Sequence, residues 1–78
     1  MRQRGLNDGV TDVGIRLVDA AHTAWLVAQI ECADALCAWF QATAGRRADA
    51  NLAYRAALDR EEAAAHDLER TTLAVQAA

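Results

Sequence analysis

WLVAQIECADALCAWF, residues 25–40, carries only three strongly polar side chains, Gln29, Glu31 and Asp34. A stretch this apolar crosses a membrane, fills a core or meets a partner. A membrane helix needs about 20 predominantly apolar residues, and the segment from Ala20 to Phe40 is long enough. It also contains His22, Gln29, Glu31 and Asp34. Each central acid costs about 2.5–3.5 kcal/mol on insertion, while each Leu, Ile, Val or Phe returns only about 0.3–0.6 kcal/mol. Leu26, Val27, Ile30, Leu36 and Phe40 cannot offset two acids, so no membrane span is expected. A signal peptide fits no better, because Gly-Leu-Asn-Asp-Gly rather than an apolar run follows the basic start.

The rest of the chain points to helices. It has 78 residues, no Pro, four Gly and 20 Ala, and Ala is the best helix former. No Gly occurs between positions 15 and 44, or after position 45. Two long segments joined at one Gly predict a single all-α hairpin domain spanning residues 1–78. Helix 1 is expected from about 8 to 43, capped by Asn7 or Asp8. The turn is expected at about 44–47, with Gly45 in the left-handed conformation that ends many helices. Arg46 and Arg47 would sit beside the negative end of helix 1, and helix 2 would run from about 48 to 75.

Both helices show a heptad period. In helix 1 the row Ile15, Val18, His22, Trp25, Gln29, Cys32, Leu36 and Trp39 is spaced alternately by three and four. In helix 2 the row is Tyr54, Leu58, Glu61, Ala65, Leu68, Thr72 and Val75. Such rows are the seams of left-handed helix packing. Folding the chain back at Gly45 makes facing residues sum to about 90. Trp25 then faces Ala65, Cys32 faces Leu58, Leu36 faces Tyr54, and Gln29 faces Glu61. Gln29 and Glu61 are therefore expected to form a buried polar layer that fixes register.

A second stripe is made of Ala. Ala21, Ala28, Ala35 and Ala42 recur every seven residues, as do Ala50, Ala57 and Ala64, and small side chains let helix axes approach closely. Each helix thus has nearly two apolar faces, whereas a lone hairpin needs one. A chain this short also buries only about 60% of its unfolded surface. The surplus predicts a homodimer in which two hairpins form a four-helix bundle. The expected interface uses Val18, Trp25, Leu26 and Cys32, then Leu36, Trp39 and Phe40, with Leu58 and Leu68 from helix 2.

Chemistry finds less support. Di-iron bundles use inward Glu residues and Glu-x-x-His pairs, and the nearest candidates here are His22, Glu61, Glu62 and His66. No Glu-x-x-His occurs, Glu62 and His66 fall on the flank of helix 2, and Gln29 and His22 stand about 10 Å apart along the helix. No metal or other cofactor is expected. The chain has no Ser, and Cys32 lies about 15 Å from His22 along one helix, so nucleophilic catalysis lacks its parts. The remaining charges of helix 2 read as a solvated face with i,i+4 pairs at Arg55–Asp59 and Glu62–His66.

Cys32 and Cys37 point about 140° apart around the helix axis, cannot bridge each other, and read as small buried apolar side chains in a reducing cytoplasm. The net charge of −3 and the lack of a basic face argue against nucleic-acid binding. Two marks of the small helical hairpins exported by type VII secretion are missing. Trp39 stands six residues before Gly45 with no Trp-x-Gly, and Leu58 holds the fourth place after Tyr54 where an acid belongs. The expectation is a small non-catalytic interaction module that associates with itself; the alternatives are a metal-binding bundle of di-metal type and a subunit that requires a different protein partner.

Overall fold

A computed structural model describes the backbone of residues 2–77 and the side chains of residues 12–77. Helix α1 spans Arg2–Gln41 and helix α2 spans Arg47–Ala77, joined by a short 3-10 turn at Ala44–Arg46. The described residues contain no strand. The two helices lie antiparallel along a rod measuring 66 × 15 × 11 Å between Cα atoms.

α1 starts six residues before its expected boundary, so Asn7 and Asp8 lie inside the helix instead of capping it. Helix extension adds one hydrogen bond for each residue fixed, and no Pro interrupts it. At the other end the helix tightens, with Ala42 N donating to Trp39 O at 3.2 Å. Thr43 is then extended, with φ −68° and ψ 163°, and Arg46 N donates to Thr43 O at 2.9 Å. Gly45 is not left-handed, because no described residue has a positive φ. One extended residue followed by a 3-10 turn reverses the chain without that conformation. Asp49 lies in the first turn of α2, where a negative charge suits the helix dipole.

The expected antiparallel register holds. Trp25 meets Glu61, Glu31 meets Arg60, Trp39 stacks on Tyr54, and Gly14 abuts Val75. Each pair sums to within a few of 90.

The phase of the seam differs from expectation by one residue on both helices. On α1 Val18, Trp25, Cys32, Leu36 and Trp39 are the half-buried large residues, and Gly14, Ala21, Ala28, Ala35 and Ala42 alternate with all of them but Leu36. On α2 Tyr54, Glu61, Leu68 and Val75 alternate with Ala50, Ala57, Ala64 and Thr71. On α1 Ile15, His22 and Gln29 of the expected row give way to Gly14, Ala21 and Ala28; on α2 Leu58 gives way to Ala57, while Ala65 and Thr72 stay half-buried beside Ala64 and Thr71. Ile15, His22 and Gln29 are exposed, as is Leu58, whereas Ala21, Ala28 and Ala57 are buried. The physical cause is closeness. A seam alternating large and small residues interdigitates, and Ala at every seventh position permits a short axial distance. Two rows of bulky residues would hold the axes apart.

Candidate interaction surface

The rotation of the seam decides which side chains remain outside. Of the nine residues expected at an interface between copies, Val18, Trp25, Cys32, Trp39 and Leu68 are half-buried in the hairpin's own seam. Leu26, Phe40 and Leu58 are exposed, and Leu36 sits half-buried at the rim. The stripe expected to serve one contact is split: half closes the hairpin and half is left over.

The leftover half forms a row of its own. Ile15, Asp19, His22, Leu26, Gln29, Ala33, Leu36 and Phe40 follow the same alternation of four and three, and run about 100° round α1 from the seam. On α2 the matching row contains Asn51, Arg55, Leu58, Glu62, Ala65 and Glu69. Two open grooves between the helices face this side. One is lined by Gln29, Cys32, Ala33, Leu36, Tyr54 and Glu61. The other, towards the chain ends, is lined by Ile15, Val18, Asp19, Thr72 and Val75 among others. The opposite side of the hairpin is spanned by a charged pair, Arg60 Nη2 to Glu31 Oε2 at 3.6 Å.

The expected Gln29–Glu61 layer is corrected by the structure. Trp25 Nε1 donates to Glu61 Oε1 at 2.9 Å. The indole N–H needs a partner where its ring packs between helices, and Glu61 is the one carboxylate in the α2 seam. Gln29 is exposed and lines the same groove as Glu61 without bonding to it. No buried polar residue occurs among the described residues. A sequence signal existed: the seam through Ala21 and Ala28 contains fewer polar residues than the one through His22 and Gln29.

His22, Glu61, Glu62 and His66 are not brought together. His22 is exposed and tilts its ring against Trp25, with centroids 5.9 Å apart, while Glu61 is engaged with the same Trp25 from α2. Glu62 and His66 are exposed on α2. Among the described residues no group of three or more His, Cys, Asp or Glu side chains is placed to hold a metal ion. The expected pairs Arg55–Asp59 and Glu62–His66 are open, and Arg70 meets Asp67 at 3.5 Å instead. Both cysteines are free; Cys32 is half-buried, and Cys37 is exposed rather than buried. Arg46 lines a groove with Ala38 and Ala42 near the end of α1, the end where a basic residue suits the helix dipole.

Fold and surface together define a two-helix hairpin that leaves large apolar side chains exposed. No helix among the described residues is long and apolar enough to cross a membrane. No protein-family model, curated protein or solved structure matches the chain.

Proposed function

We propose that this chain is a non-catalytic helical interaction module that associates with itself as a homodimer, two hairpins forming a four-helix bundle. The observation that supports the reading is surface. Ten large apolar side chains are between 39% and 77% exposed, and seven of them lie on α1. A helix apolar around most of its circumference belongs in an interior. The accessible area is 6138 Å², about a third more than the roughly 4,600 Å² expected of a compact monomer of this mass. The excess of about 1,500 Å² exceeds the roughly 800 Å² per partner of a standard interface.

On this reading the activity is binding, with no cofactor, no nucleic acid and no membrane. The unpaired Cys32 and Cys37 support a reducing, cytoplasmic location. Sedimentation equilibrium of the purified chain over a wide concentration range tests the reading. A discrete dimer is expected. A monomer at every concentration overturns self-association and transfers the apolar flank to a different protein.

A further inference from the structure

We propose that the partner copy packs on the flank that carries Leu26, Leu36, Phe40 and Leu58, antiparallel, about a two-fold axis level with Leu58. The proposal rests on the self-association argued above and adds which face is used, and in what register.

The choice of face follows from what each side of the hairpin offers. One side carries exposed Leu17 and Val27 but is interrupted by the charged pair of Arg60 and Glu31, 3.6 Å apart. The other holds an open groove lined by Cys32, Ala33, Leu36 and Tyr54, with Gln29 and Glu61. It also holds Phe40, 77% exposed, and Leu26, 41% exposed. Covering this side stacks α1 on the partner's α1 and α2 on the partner's α2. Every neighbouring pair of helices is then antiparallel, an arrangement that four-helix bundles adopt.

The register follows from complementarity. In a two-fold interface residue i meets residue j of the partner, and j meets i. Placing the axis midway between Leu26 and Leu36 brings those two leucines together across the α1 contact. It also sets Gln29 against Ala33 and His22 against Phe40. Because facing residues in the hairpin sum to about 90, the same level on α2 falls within about one residue of Leu58. Leu58 therefore meets its own copy. Arg55 and Glu62, one on either side of it, meet as opposite charges across the α2 contact, twice by symmetry. The leucine pair on α1 and the charge pair on α2 were not used to place each other, yet they select one axis. The groove between the helices lies at that level and is closed by the same stretch of the partner.

The area suffices. This register overlaps the two hairpins over about 36 Å along the axis and two helix diameters, about 20 Å, across. That strip is of the order of 700 Å² before side-chain relief is counted, close to the roughly 800 Å² per partner of a standard interface.

Two sets of variants test the proposal. In a Cys32→Ala, Cys37→Ala background, Leu58→Cys should oxidise to a covalent dimer, since two cysteines at a two-fold axis can meet disulfide geometry. Ala56→Cys, exposed at nearly the same level but turned to the other side of α2, should stay uncoupled. In the chain with native cysteines, Arg55→Glu or Glu62→Arg alone should weaken the dimer about tenfold, two exposed charge contacts being lost in each. The two together should recover it. Both positions are exposed, so the hairpin itself remains folded.

A dimer that persists while Leu58→Cys fails to couple, or couples no faster than Ala56→Cys, overturns the face and leaves self-association standing. A double charge reversal that stays as weak as the singles overturns the register. A parent chain that is monomeric throughout overturns this proposal together with the reading it rests on.

Discussion

Trp25 and Glu61 carry the one hydrogen bond between side chains that links the two helices among the described residues. Its geometry, N to O at 2.9 Å between partly buried groups, suits a charge-assisted bond. Glu61 is only half-buried, so water can replace a lost partner and the cost of breaking the bond is moderate. Trp25→Phe and Glu61→Leu are each expected to destabilise the hairpin, with a coupling energy of about 1 kcal/mol in the double-mutant cycle. Urea unfolding of the four species measures it, and additive effects would show that the bond contributes nothing. Gly14 offers a second residue-level test. A Cβ there would meet Val75 Cγ1 at 3.0 Å and Cγ2 at 3.6 Å. Replacing Gly by Ala inside a helix gains about 1 kcal/mol, and the tight contact takes part of it back. Gly14→Ala should therefore stabilise the chain by more in a Val75→Ala background than in the parent. Equal gains in thermal or urea unfolding would mean that Val75 moves aside freely.

At the scale of the element, two substitutions follow from the backbone and the seam. Gly45 adopts no positive φ and has open space around its Cα. Gly45→Ala should therefore stabilise the hairpin by about 0.4–1 kcal/mol, by narrowing the unfolded ensemble. A destabilisation would mean that the turn needs glycine after all. Ala57 is 1% exposed, the most buried of the three seam alanines. Ala57→Leu should cost about 1–3 kcal/mol by forcing the axes apart, whereas the exposed neighbour Ala56→Leu should stay within about 0.5 kcal/mol. Equal effects would show that the alanine row does not set the spacing.

These elements also show how far the sequence could be read. The two helices, the turn and the antiparallel register follow from glycine placement and heptad spacing, because those signals need only periodicity. The phase of the seam is a different matter. Ala28 and Gln29 are adjacent, and a bulky row and an alanine row are both compatible with packing. Polarity favours the alanine row, which avoids His22 and Gln29, but the choice also depends on how closely two backbones approach, which heptad spacing does not encode. Thr43 and Gly45 fail to disclose the turn for a related reason. Glycine permits a left-handed conformation without requiring it. The early start of α1 was hidden because Asn7 and Asp8 are good caps that a continuing helix can also absorb. Of the candidate surface, Leu26, Phe40 and Leu58 were legible as apolar surplus. The indole bond of Trp25 to Glu61 was not, since it depends on the phase.

For the whole molecule, the consequence of the seam is a hairpin closed largely by small residues. Three alanines are the only residues counted as buried and apolar among those described. A core of that size contributes little burial, and in the proposed dimer much of the stability comes from association. The midpoint of thermal unfolding should therefore rise by several degrees over a hundredfold range of protein concentration, as ligand-linked stability requires. A midpoint independent of concentration would place the stability within the single hairpin.

The slender outline of the hairpin has a practical consequence for anyone measuring it in solution. Its radius of gyration is 18.4 Å, a value that compact proteins reach only at about 270 residues. A lone chain would therefore scatter X-rays at low angle with the apparent size of a globule more than three times its length. Pairing side by side doubles the mass while lengthening the rod only in part. Size and mass come apart in this protein, and stoichiometry is to be read from mass.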